Sequence, residues 1–121
     1  MKLKSTLLTA FAAMLVAVLL FASATPAQST PRRIQVTAKR FEFTPGEITL
    51  KKGVPVVLVL TSADVPHGIR FKELGIEAKI DKGQVRELAF TPDKTGTFVG
   101  HCFVFCGAGH GAMTLTLHVV E

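Results

Sequence analysis

The chain has 121 residues, enough for one domain and too short for two. Its 14 Lys+Arg and 9 Asp+Glu leave a formal net charge of +5. The basic residues are scattered, which argues against a nucleic-acid protein with its clustered basic face. A basic opening, Met1-Lys2-Leu3-Lys4, leads into an apolar run over Ala10–Ala22, the small-x-small pattern Ala22-Ser23-Ala24 and a Thr/Pro/Gln/Ser-rich stretch. Those features predict a signal peptide over residues 1–24, with an N-terminal signal helix, cleaved after Ala24 or alternatively Ala27. The unbroken run of 13 residues is shorter than the ~20 that a membrane-spanning helix needs. Leu7 and Leu8 lengthen it, so an uncleaved anchor is the alternative. A linker over 25–32 and one domain over 33–121 follow, and the exported protein is expected to be periplasmic or secreted. Removing residues 1–24 takes away Lys2 and Lys4 and no acid, leaving 12 basic against 9 acidic residues, a net charge of +3.

The exported part reads as short strands separated by turn signals, with almost no helical period. Arg33–Ala38 alternates Ile34 and Val36 with polar neighbours, Phe41 and Phe43 continue that period, and Pro45-Gly46 marks a turn. Ile48–Leu50 is brief and ends at Lys51-Lys52-Gly53. Val56–Thr61 is continuously apolar and predicts a central strand buried on both faces. Gly68–Phe71 and Ile76–Ile80 follow Asp64-Val65-Pro66, and Asp81-Lys82-Gly83 is another turn. Val85–Phe90 alternates less cleanly; Pro92–Gly96 is a turn cluster before a strand over Thr97–Cys102, and Thr114–Val120 alternates to the end. Seven or eight such strands predict an all-β Greek-key β-sandwich, with the seven phenylalanines of the exported part supplying much of its core.

The chemistry lies between the last two strands, in Cys102-Phe-Val-Phe-Cys106-Gly-Ala-Gly-His110-Gly-Ala-Met113. Two thiols, an imidazole and a thioether fall within twelve residues, and three glycines let the backbone turn them toward one point. Thiolate, imidazole and a weak axial thioether form a donor set that copper favours. Zinc has no need of Met113, and iron–sulfur clusters usually require four cysteines. His67, 35 residues before Cys102, is the fifth donor: a strand start and an interstrand loop can meet at one end of a sandwich. In an exported protein two cysteines ordinarily form a disulfide, but a staple has no use for His67, His110 and Met113. That bond is expected only as an oxidised resting form of the metal-free protein.

These residues resemble the cupredoxins and, within them, the binuclear copper-A domains of cytochrome oxidase subunit II. The loop Cys-x-x-x-Cys-Gly-x-x-His-x-x-Met of that family matches residues 102–113 at every fixed position, and Pro66-His67-Gly68 is similar to the segment that carries its first ligand. Phe41–Gly53 resembles the N-terminal strands of many secreted cupredoxins, so the likeness covers roughly residues 34–120. It implies a cupredoxin-like fold and two copper ions bridged by Cys102 and Cys106. It also implies one terminal ligand each from His67 and His110, with Met113 and the backbone carbonyl of Val104 as weak ligands to different coppers. Its implied role is electron transfer with a redox protein partner, a cytochrome or an oxidase. No nucleic acid is expected, a membrane only if the leader stays uncleaved, and the protein is expected to be a monomer.

The chain also departs from that family. Oxidase domains often carry Glu at the position of Val104 and Gly at that of Leu115, and they offer an aromatic contact to cytochrome c where this chain has neither Trp nor Tyr. Nor is there a two-helix membrane hairpin in the sequence. These differences point to a free-standing relative of the oxidase subunit. His101 alternates away from Cys102 and His118 away from Leu117, so both are expected at the surface. Phe103 and Phe105 are expected to shield the site, and Lys39-Arg40 and Lys51-Lys52 to be solvated turn residues. Three alternatives stay open: a mononuclear site on Cys106, His110, Met113 and His67; a periplasmic copper chaperone, since soft donors suit Cu(I); and an accessory subunit of a membrane terminal oxidase. No nucleophile–base pair is visible, so the chain is expected to be an electron carrier and not an enzyme.

Overall fold

The computed structural model describes residues 30–121. The expected leader over 1–24, with its helix, and most of the linker lie outside the described residues. Among the described residues nine strands form two sheets: β1 (Arg32–Lys39), β2 (Glu42–Thr44), β3 (Glu47–Lys51), β4 (Val56–Ser62), β5 (His67–Phe71), β6 (Ile76–Ile80), β7 (Arg86–Phe90), β8 (Gly96–His101) and β9 (Thr114–Val120). One sheet runs β2-β1-β4-β7 and the other β3-β9-β8-β5-β6. β1 lies parallel to β4 and β3 parallel to β9, while the remaining pairs are antiparallel. The expected all-β sandwich is the observed architecture.

The period of two explains which side chains fill the space between the sheets. β9 turns Leu115, Leu117 and Val119 inward and leaves Thr114, Thr116 and His118 half-buried. β5 contributes Ile69 and Phe71, and β1 Val36 and Ala38. Burying each large aliphatic or aromatic side chain is worth about 1.5–3 kcal/mol, so these rows supply most of the drive to close the sandwich. β4 is central and buried throughout Val56–Leu60. Val57 and Val59 lie outside the main core. Their pairing neighbours are Arg33, Gln35, Glu87 and Ala89, and an Arg33–Glu87 ion pair spans that outer face. Within the second sheet, Gly100 of β8 gives room to side chains of the neighbouring β5: a methyl there would lie 2.6 Å from the Phe71 ring and 2.8 Å from Ile69.

Three sequence expectations need correction. Phe41 does not continue the strand alternation; it sits in the β1–β2 turn with its ring over the loop that follows Cys106. Val85 stands before β7 and is exposed, because pairing with β4 begins only at Arg86 opposite Leu60. β8 ends at His101, not Cys102, because His101↔Thr114 is the last ladder pair; the Cys102 amide still bonds the Met113 carbonyl at 3.1 Å. That bond closes the base of the loop and starts its two ends side by side.

Candidate metal centre

Three segments meet at one end of the sandwich: the entry to β5, the 102–113 loop and the β1–β2 turn. β5 begins at His67, whose side chain is fully buried and is the only polar member of the buried set among the described residues. Its register opposite Ile80 anchors it in the sheet. The 102–113 loop brings the other donors. Cys102 Sγ lies 3.9 Å from Cys106 Sγ and 4.0 Å from His67 Nδ1. Cys106 Sγ lies 3.6 Å from His110 Nδ1 and 3.8 Å from Met113 Sδ. The Cys102 thiol donates to the Val104 carbonyl at 3.2 Å. All six residues singled out from the sequence therefore converge.

The spacing matches what a shared metal demands. With metal–sulfur and metal–nitrogen bonds of about 2.3 and 2.0 Å, the lengths that zinc sets, two sulfurs on one tetrahedral metal lie ~3.8 Å apart and a sulfur–nitrogen pair ~3.5 Å apart. His67, Cys102 and Cys106 offer donor atoms that all fall within 4.8 Å of one another. His110 stands beyond Cys106, so each thiol has its own imidazole neighbour. Both cysteines are free and buried. Soft sulfur donors with imidazole, shut away from water, fit copper better than hard cations.

The loop's three glycines do three different things. Gly107 has φ 140°, a region that side chains disfavour, and it reverses the chain directly after Cys106. Gly109 has an ordinary φ of −87° but lies under the Phe41 ring, where a Cβ would come within 2.4 Å. Gly111 faces open space. A short 3-10 turn over His110–Ala112, closed by the Met113 amide on the His110 carbonyl at 3.3 Å, then points Met113 back into the core.

Residues that the sequence did not single out hold the donors in place. Asp64 Oδ1 lies 2.7 Å from His67 Nε2. An Nε2–H donated to that carboxylate leaves Nδ1 as the lone-pair nitrogen facing Cys102, the usual way a ligand histidine is oriented. Burial pushes the Asp64 carboxyl up, but hydrogen bonds from the Arg40 amide, His67 and the Val65 amide outweigh it and hold the group well below the usual carboxylate range. Asp64 precedes His67 by three residues, a legible spacing; nothing in the sequence marks Arg40. That residue, expected as a solvated turn, donates from Nε to the Cys106 carbonyl at 2.7 Å and from its amide to Asp64 Oδ2 at 2.7 Å. In the metal-free site, burial, followed by the hydrogen bond and charge of Cys102, pushes the Cys106 thiol up to about 11.

Phe103 and Phe105 differ from each other. Phe103 lies over Gly68, where a methyl would come within 2.6 Å of its ring, and the Arg70 guanidinium stacks on the same ring at 4.5 Å. It is half-buried against β5, the strand that His67 begins. Phe105 does not shield the site: it is 79% exposed, with its ring tilted at 49° and 5.7 Å from that of His110. The loop crosses between the two cysteines with Phe103 on the sheet side and Phe105 on the solvent side. His101 is exposed and His118 half-buried, donor or acceptor to Thr97 Oγ1 at 3.3 Å; neither joins the site.

Comparison with known proteins gives a consistent family. A family model described as a cupredoxin-like domain matches residues 11–115. Cytochrome c oxidase subunit 2 of Thermus thermophilus is 31% identical over 88 residues, covering 73% of this chain and 65% of that protein. The chain thus spans slightly less than two thirds of the length of this curated relative. Among solved structures, the periplasmic domain of subunit II of cytochrome oxidase of Bradyrhizobium japonicum superposes with a TM-score of 0.70 at 22% identity, covering 80% of this chain and 88% of that one. Auracyanin A, a "blue" copper protein from Chloroflexus aurantiacus, superposes with a TM-score of 0.63 at 17% identity, covering 75% of this chain and 100% of that one. The chain belongs to the family of cupredoxin-like domains.

Proposed function

We propose that this chain is an exported electron-transfer protein whose centre is a binuclear, copper-A type site. Cys102 and Cys106 would bridge two coppers, His67 and His110 would each terminate one, and Met113 and the Val104 carbonyl would be weak ligands. The observation that carries this reading is the placement of one imidazole beside each thiol, His67 Nδ1 at 4.0 Å from Cys102 and His110 Nδ1 at 3.6 Å from Cys106. A single-copper site has no need for imidazoles distributed in that way. Copper bound there supplies one-electron exchange.

The chain's own residues make that exchange inexpensive. Asp64 fixes the His67 tautomer, the buried cysteines and Met113 exclude water, and Arg40 and Phe41 brace the loop. Little then moves when the charge of the centre changes. Phe105 gives the His110 end an exposed apolar contact for a redox protein partner, a cytochrome or an oxidase. The chain carries electrons and has no reaction of its own in this reading. Residues 1–24 serve as its export signal, placing the domain on the extracytoplasmic side. No helix among the described residues is long and apolar enough to cross a membrane.

Copper reconstitution tests the proposal. Optical and electron paramagnetic resonance spectra, read with the copper-to-protein ratio, are expected to give two coppers per chain and an unpaired electron coupled to both nuclei. One copper per chain, with coupling to a single nucleus, would refute the binuclear site and favour a mononuclear cupredoxin. Ready transfer of Cu(I) to an acceptor, without reversible redox cycling, would favour a copper chaperone.

A further inference from the structure

The β1–β2 turn touches both halves of the donor set, although no donor lies on it. From one residue, Arg40, the side chain reaches the Cys106 carbonyl and the amide reaches Asp64, the residue that orients His67. The adjacent Phe41 ring covers Gly107 and Gly109, with ideal Cβ positions 2.9 and 2.4 Å from it. His67 enters from β5 and the remaining donors from the β8–β9 loop. Their relative position is thus set by a third segment that clasps both.

We propose that Arg40 is a positioning residue of the metal centre, locking the Cys106 peptide against the Asp64–His67 pair and placing a fixed positive charge beside the centre. The inference rests on the copper reading above. The carbonyl of Cys106 is engaged on one side by the guanidinium and continues on the other into Gly107, whose φ of 140° leaves the chain few restraints of its own. Without the guanidinium the Cys106–Gly107 peptide loses that anchor, and the backbone that carries the Cys106 sulfur is held less firmly. Arginine suits this task because its donors are held in a planar fork. The charge has a separate consequence: it disfavours the more positive, oxidised state of the centre and raises the reduction potential.

The test is Arg40→Gln, with Arg40→Lys beside it, in copper-loaded full-length protein. Both leave the amide bond to Asp64 in place. Arg40→Gln is expected to alter the optical bands and copper hyperfine couplings and lower the reduction potential. It should also lose copper to a Cu(I) chelator about tenfold faster, the lower end of what removing an outer partner of a ligand costs. Arg40→Lys keeps the charge, so its potential should stay nearer wild type while copper loss still accelerates. A purely structural role would lower the melting temperature and leave spectrum, potential and copper loss unchanged; that result overturns the inference. If Arg40→Gln does not fold, Arg40→Lys decides by its copper loss: faster supports the role, wild-type rate refutes it. Wild-type protein that takes up no copper would refute the copper reading itself, whereas variants matching copper-loaded wild type refute only the role of Arg40.

Discussion

Gly109 and Gly111 stand two residues apart in the same loop, and alanine should destabilise at the first and be close to neutral at the second. At Gly109 an added Cβ would lie 2.4 Å from Cδ2 and 2.5 Å from Cγ of Phe41. Those are base atoms of the ring, so the whole side chain must pivot outward to relieve the contact. Overpacking of this kind costs about 1–3 kcal/mol. For a domain of this size each kcal/mol shifts the melting temperature by roughly 4–8 °C, so Gly109→Ala should melt about 5–20 °C lower. At Gly111 nothing lies within 4 Å and φ is not positive, so Gly111→Ala should stay within about 0.5 kcal/mol of wild type. The measurement is thermal unfolding of reduced, metal-free protein by circular dichroism or calorimetry, since the absence of Trp and Tyr removes the usual fluorescence signal. Equal melting temperatures for the two variants would refute the claim that Phe41 clamps the loop.

Asp64→Asn should weaken copper binding by about 10–100-fold in a chelator competition, because the amide orients His67 less well than the carboxylate. The same residue sets an acid limit. Its folded-state pKa is depressed, so its stabilising contribution is present above the ordinary carboxylate pKa of about 4 and is lost as pH falls below it. The metal-free melting temperature should fall progressively as pH drops below about 4, and less steeply in Asp64→Asn. Cys106 is displaced the other way. With its thiol pushed up to about 11, alkylation in the metal-free protein should be slow at neutral pH and accelerate well above the ~8.5 of a free cysteine. Phe105→Ala should leave stability within about 0.5 kcal/mol, because the ring is mostly in solvent, yet slow electron exchange with a redox partner. Stopped-flow rates unchanged in that variant would remove Phe105 from the docking contact.

The donors and the strands were legible in the sequence for a simple reason. Strand alternation is a local rule, and the donors of the loop all lie within one twelve-residue segment. His67 was legible because a sandwich brings strand ends together, even across 35 residues. Local rules could not separate Phe103 from Phe105, since both alternate with Val104 and only the path of the loop across the sheet end decides which ring meets solvent. Nor could they distinguish Gly107, Gly109 and Gly111, which look alike in sequence and are required for backbone conformation, for contact with Phe41, and for neither.

By itself, then, the sequence determined the fold class and the set of atoms able to hold a metal, because both follow from residue type and short-range spacing. Only the tertiary structure decided how those atoms are held. Arg40 and Cys106 are 66 residues apart and bond through a backbone carbonyl, a group that every residue possesses and no pattern can mark. Asp64 becomes the partner of His67 only when β4 and β5 fix the bend between them. Positioning of this kind belongs to the meeting of distant segments, and it exists only once the sheets have closed.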